Sequence, residues 1–243
     1  MNLLLVERTE IADDGTVVLA RTDRRAEHLS RVLGVAVGST VKTGVVGGAL
    51  GTSTVAAITD GDVRLAVTLG TTHPAPLPIE LVVAIPRPKV LSRLLESCAS
   101  FGVSRIDLTN AWRVDKSYLS SPRLAPAALA EDLRLGAEQG ATTYIPPIDV
   151  HTRLMSLLDS RFPSPSGTRL LAHPDAPPIE QAKITWPLTL AIGPEGGWIQ
   201  RELDTFVERG FQLVSIGAPI LRTADAVAAA LGQLMLLRRR YFE

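Results

Sequence analysis

The stretch LTLAIGPEGGW, residues 188–198, decides how this chain folds. A short apolar strand, LTLAI (188–192), runs into a turn rich in glycine, and a helical pattern follows near Arg201 to Arg209. A strand that delivers such a turn to a helix is the unit of a parallel α/β sheet, and ligands collect at the carboxyl ends of its strands. Glycines at that place let a ligand come close to the backbone. The spacing matches neither GxGxxG nor the phosphate-binding loop with its Lys-Ser/Thr, so neither dinucleotide nor triphosphate binding is supported. From chemistry alone the same residues read equally well as a tight turn.

Working outward, the α/β pattern extends back to about residue 80 and forward to the end. ELVVAI (80–85) predicts a buried strand, followed by a helical stripe at Val90, Leu91, Leu94, Leu95, Cys98 and Phe101 that Gly102 stops. RIDLTNA (105–111) predicts the next strand, and residues 125–139 a helix with Pro126 in its first turn. Residues 144–148 are expected to be extended, and RLLA (169–172) is a short strand framed by Pro and Gly. QLVSIG (212–217) predicts the last strand. The final helix, about 223–240, carries the stripe Ala226, Val227, Ala230, Leu231, Leu234 and Leu237 and ends in three arginines that suit the helix dipole.

Residues before about 75 read differently. Short β-prone runs at 17–20, 39–46, 53–58 and 63–69 are separated by Gly and Asp turns, with a short helix around Arg24 to Leu33. They predict a small barrel or sandwich. GTTHPAPLPIE (70–80) is a proline-rich connector, which places a boundary near residue 75 and two domains at 1–74 and 75–243.

Composition sets limits on function. The 243 residues suffice for a core without staples, and 46% are hydrophobic. One cysteine, Cys98, excludes an internal disulfide and fits a reducing compartment. No Cys/His spacing suits zinc, so no metal is expected. No apolar run reaches the roughly 18 to 20 residues that span a bilayer. MNLLLVERTE meets acidic residues too early for a secretory signal, and a cytoplasmic, membrane-free protein is expected. Lys plus Arg and Asp plus Glu number 25 each, so net charge attracts no polyanion, although a local basic patch can.

A second loop resembles the first. IGAPILRTADAVAAALG (216–232) is again a strand end, a glycine, a proline-constrained loop and a helix of small residues, and two such loops can face one pocket. Arg222 within it reads alone as either a functional or a capping arginine.

The succession PRPKVLSRLLESCASFGV, AEQGATTYIPPI, LAIGPEGGW and IGAPILRTADA, with HLSRVLGVAVGS (28–39) before it, resembles the 16S ribosomal RNA N3-uridine methyltransferases of the SPOUT superfamily. The resemblance runs over nearly the whole chain. It implies a PUA-like β-barrel with an RNA-binding role, in front of an α/β domain with a C-terminal trefoil knot, an exception to unknotted connections. It also implies a homodimer, 16S ribosomal RNA in the small subunit as partner, and S-adenosylmethionine as cofactor.

Carried over by residue, the cofactor site implied is Leu171 and Ala172, then Ile192, Gly193, Pro194, Gly196 and Gly197, then Ile216, Gly217, Ile220 and Leu221. The reaction implied is direct methyl transfer to a uridine N3, with removal of the imide proton. Arg222 is the candidate to stabilise the developing anion or hold a phosphate, and Asp225 or Glu195 to accept the proton. For Glu195 the alternative is a carboxylate favoured by a helix N-terminus.

The chain departs from the family pattern at Gly34 and Thr142, where arginines are usual, and at Ala224, where a glutamate is usual beside what is here Asp225. These changes remove phosphate contacts and move or delete a carboxylate. A SPOUT enzyme with another RNA target, or a non-catalytic RNA-binding or ribosome-assembly factor that kept the knot, therefore stays open.

His28, His73, His151 and His173 are scattered and read as surface or satisfied side chains, with His173 beside the proposed pocket. Cys98 reads as a buried structural thiol. Trp112 and Arg113 read as a packed aromatic with its neighbour, or as a loop facing substrate.

Overall fold

A computed structural model describes residues 1–242 of the chain. Two compact units result, the first formed by Met1–Ala75 with Arg134–Ile145, the second by Pro76–Leu133 and the chain from Pro146 onward. The return of 134–145 to the first unit is announced by no shift in composition.

In the first unit β1 (Leu4–Val6), β2 (Thr16–Ala20), β3 (Thr40–Val45), β4 (Leu50–Ile58) and β5 (Asp62–Leu69) form one sheet in the order β1-β3-β4-β5-β2. Only the β1–β3 pair is parallel. Every strand contributes to one core, including Leu4, Val17, Val45, Val55 and Val63, and α1 (Arg24–Glu27) with the wider turn after it adds Ala26 and Leu29. Leu3 and Leu5 join a second cluster with Ala137. The β1 segment therefore buries both faces, and its run LLLV shows no alternation that would mark a strand.

Charge in this unit is turned inward. Arg25 is 8% exposed and donates to Glu10, Asp23 and the Leu5 carbonyl, the last at 3.0 Å. This arginine, more than any other neighbour, holds the Glu10 carboxyl below the usual carboxylate range. Arg24 pairs with Glu138, Arg134 with Glu7, Arg31 with Glu27 and Arg64 with Asp62.

The second unit is a six-stranded, all-parallel sheet of β6 (Leu77–Ala84), β7 (Val103–Thr109), β8 (Ile148–His151), β9 (Thr168–Ala172), β10 (Leu188–Ile192) and β11 (Phe211–Val214), in the order β11-β9-β10-β6-β7-β8. Parallel neighbours need crossover connections, most of them helical here: α2 (Pro88–Phe101), α3 (Pro126–Gly140), α4 (Leu154–Arg161) and α5 (Gln200–Glu208), while α6 (Thr223–Phe242) follows the last strand. Burial on both faces makes β6 and β10 the apolar runs seen in the sequence.

Several expectations hold in detail. α2 ends at Gly102, whose φ of +74° is left-handed, and buries Leu91, Leu94, Leu95 and Cys98. All six stripe residues of α6 are buried, and α6 packs on α2 and β10. Two expectations fail. The extended piece placed at 144–148 is β8, at Ile148–His151, because Pro147 cannot donate to the ladder. The helix α4 was not foreseen, since its eight residues give barely two turns of pattern.

From β6 the chain builds β7 and β8 outward on one side, then crosses to build β9, β10 and β11 on the other. The order reverses between β6 and β10, and the carboxyl ends of these strands flank the crevice where open α/β sheets bind ligands. The stretch 192–198 leaves β10 there.

Candidate functional site

The loops leaving β9, β10 and β11 enclose a cavity of about 390 Å³, within the range of small-molecule sites. Ala172, His173 and Asp175 come from the first loop, Ile192 to Trp198 from the second, and Ser215, Ile216 and Gly217 from the third, with Thr223 and Ala226 at the start of α6.

Glycines shape the second loop for stated reasons. A Cβ at Gly193 would lie 2.9 Å from Trp198 Nε1, because the indole packs flat against that backbone. Trp198 is 6% exposed, meets Phe206 edge-on at 5.0 Å, and its buried Nε1 has no hydrogen-bond partner among the described residues. Gly197 has φ +72°, a conformation that L side chains rarely adopt. Arg113 reaches across and donates from Nη1 to the Gly196 carbonyl at 2.6 Å.

α6 braces both inner loops. Thr223 Oγ1 donates to the Gly193 carbonyl at 3.2 Å, and Gln233 Nε2 to the Ile216 carbonyl at 2.7 Å. Glu202, 6% exposed on α5, accepts from Ile199 N–H at 3.0 Å and from Trp112 N–H at 2.8 Å. One buried carboxylate thereby caps α5 and fixes the loop after β7 beside the cavity loop. The sequence reading did not single out Glu202, although its place three residues after Ile199 is the cap-box position.

The cavity brings together Ala172, Ile192, Gly193, Pro194, Glu195, Gly196, Gly197, Ile216, Gly217, Ile220 and Leu221. Leu171 is not among the lining residues; it is wholly buried inside the sheet. Arg222 and Asp225 are also absent from the lining and are exposed, one at the loop end and one in the first turn of α6. Of the three proposed catalytic side chains only Glu195 faces the cavity, and its carboxylate pairs with Arg87 at 2.8 Å rather than capping α5. Arg113 and His173 line the cavity as well, and His173 Nδ1 accepts from the Asp175 N–H at 3.3 Å.

Elsewhere, burial pushes the Cys98 thiol up to about 12, which keeps it protonated and unreactive. Trp112 is the reverse of a packed aromatic: its side chain stands 78% exposed. Asp107, Asp149 and His151 bring three metal-capable atoms within 4.8 Å of one another. Arg105 pairs with both aspartates, and Arg161 approaches Asp107 at 3.4 Å, so arginines already neutralise that cluster. Gly34 has φ +59°, where an arginine would be strained. Among the described residues no helix is long and apolar enough to cross a membrane.

With this geometry in hand, the similarities to known proteins are direct. Residues 73–235 match the family model of the RNA methyltransferase domain. The ribosomal RNA small subunit methyltransferase E of Treponema pallidum is 30% identical over 95% of this chain and 89% of its own length. That of Synechocystis is 25% identical over 96% of this chain and 77% of its own. The crystal structure of the Neisseria gonorrhoeae methyltransferase of the same name, bound to S-adenosylmethionine, superimposes with a TM-score of 0.79 over 98% of both chains at 23% identity, which establishes the shared fold. The chain belongs to the RNA methyltransferase family and, within it, groups with the ribosomal RNA small subunit methyltransferases E.

Proposed function

We propose that this protein is an S-adenosylmethionine-dependent methyltransferase that methylates N3 of a uridine in 16S ribosomal RNA. The observation that carries the reading is the cavity of about 390 Å³ formed by three consecutive strand-end loops. Its chemistry suits the cofactor. Ile192, Ile216, Leu221 and Ala226 offer apolar walls to an adenine, the glycine-rich loops offer bare backbone, and Asp175 places negative charge at the cavity for a sulfonium or an ammonium. The bound cofactor supplies an electrophilic methyl group.

Uridine N3 must lose its proton as it is methylated. Glu195 is the proton acceptor we assign, since of the two candidate carboxylates, Glu195 and Asp225, it is the one that lines the cavity. Arg222, exposed on the adjoining loop, is assigned to the RNA backbone, and Asp225, whose charge a phosphate repels, to no phosphate contact. The loss of arginine at Gly34 and Thr142 leaves these contacts fewer, and another RNA target is the second reading they favour.

The α6 contacts to Gly193 and Ile216 support a trefoil knot at this site. The shared core of all five strands supports a PUA-like barrel for the first unit. Exposed Ile220 and Leu221, with Met235 and Leu236 on α6, suit the homodimer expected of the family. The test is to incubate the protein with labelled cofactor and small ribosomal subunits and to digest the RNA to nucleosides. Label in 3-methyluridine is expected; label in another nucleoside would move the target, and no label would favour the binding-factor reading.

A further inference from the structure

The loops and helix starts that follow β6, β7 and β8 carry Lys89, Lys116, Arg123 and Arg153, all exposed and without an ion pair among the described residues. The one acid among them, Asp115, is turned to its own loop, where it accepts from Ser117 N–H at 2.9 Å. The loops after β9 and β10 place Asp175 and Glu195 at the cavity, Glu195 paired with Arg87, and also carry exposed Lys183 and Arg201. Zero net charge thus conceals a local run of unpaired cations on the loops after β6, β7 and β8.

Trp112 stands on the same loop as Lys116 and Arg123, between β7 and α3. Its indole is 78% exposed, while Ala111 and Val114 on either side are buried. Its backbone is fixed by the Glu202 carboxylate, and the next residue, Arg113, lines the cavity and bonds the Gly196 carbonyl. A large aromatic held out into water on a firmly anchored backbone beside a cavity, among unpaired cations, matches the combination by which proteins hold single-stranded nucleic acid.

We propose that Trp112 is a stacking platform for a nucleobase of single-stranded RNA at the mouth of the cavity, with Lys116 and Arg123 on the flanking phosphates. The inference rests on the RNA methyltransferase reading and places the grip on the strand beside the cavity in the second unit. A guanidinium or ammonium on each phosphate supplies affinity without sequence preference, and the indole fixes the register of the base. Trp112 is therefore a positioning residue.

The experiment is a titration of the full chain with a fluorescently labelled oligouridylate at low salt, following both the label and tryptophan emission. Trp112→Ala is expected to weaken binding about tenfold, and Trp112→Phe to keep most of the affinity. Stacking should quench emission in the native protein, and the quench lost in Trp112→Phe is the part that Trp112 carries, since Trp198 is buried and the half-buried Trp186 is present in both proteins. Unchanged affinity in Trp112→Ala, no binding of the oligomer by the native chain, or an effect of the substitution on self-association alone would overturn the proposal. Calorimetry with S-adenosylmethionine on the same samples separates the two claims. Cofactor binding without an RNA effect of Trp112 removes this inference only, whereas a Trp112-dependent RNA complex without cofactor binding removes the methyltransferase reading only.

Discussion

The two units both pair arginines with carboxylates but differ in where their unpaired cations lie. In the first, Arg24, Arg25, Arg31, Arg64 and Arg134 are each engaged by a carboxylate of the same unit, which leaves Arg8 and Lys42 as its basic side chains without a hydrogen-bond or ion-pair partner among the described residues. In the second, Lys89, Lys116, Arg123 and Arg153, on the loops and helix starts after β6, β7 and β8, have no ion pair among the described residues. An arginine that is held by two carboxylates organises a fold; one that faces water is available to a phosphate. Total charge is silent on this difference, because it weighs both kinds equally.

The largest effect that separates the two kinds is expected at Glu202. Replacing it with Ala strips acceptors from two backbone donors, Trp112 N–H and Ile199 N–H, and should cost about 3 kcal/mol in urea unfolding while also weakening ligand binding. A stability loss with an unaltered cavity affinity would detach the loop after β7 from the site. Arg25→Ala should cost a comparable amount, about 3 kcal/mol, because it leaves Glu10 and Asp23 without their cation, and it should leave RNA affinity untouched. Its pH signature follows from Glu10, whose folded carboxyl titrates below its ordinary range chiefly through Arg25. A depressed carboxyl stabilises above its unfolded pKa, and that contribution fades as pH falls through the folded value. The native protein should therefore lose stability on acidification more steeply than Arg25→Ala, measured as urea midpoints from pH 6 down to pH 3.

How much of this was legible depends on range. α6 could be read because Ala226, Val227, Ala230, Leu231, Leu234 and Leu237 repeat over many turns, and all six are buried. β1 could not, since three residues buried on both faces carry no period. The assignment of Arg134–Ile145 to the first unit depends on what α3 packs against, which its own pattern does not encode. At the site, the glycine loops could be read because Gly193 and Gly197 answer to local geometry. Trp112 and Arg113 could be read only as a choice between a packed aromatic and a loop facing substrate: Arg113 reaches Gly196 across 83 residues of chain, and Trp112 is exposed where an aromatic is expected to be buried.

Smaller effects sharpen the same contrast. Lys116→Ala and Arg123→Ala should each lower the salt slope of RNA binding by about one, while Arg8→Ala and Lys42→Ala leave it unchanged. Equal slopes in all four would erase the distinction between the units. Smallest is Glu96, whose carboxyl is raised by burial and then by neighbouring Asp132. A raised carboxyl opposes the fold once it ionises, so Glu96→Gln should raise the melting temperature slightly at pH 7 and lose that advantage below the carboxylate range. No gain at pH 7 would mean that burial does not disfavour the Glu96 carboxylate in the fold.

The most direct measurement is calorimetric titration with S-adenosylmethionine of the native chain beside Ala172→Trp, which fills the cavity from the last residue of β9. Micromolar binding by the native protein, lost in a variant that unfolds at an unchanged denaturant midpoint, is the predicted result. Absence of binding by the native protein, or equal binding by both, would contradict the placement of the cofactor in this cavity.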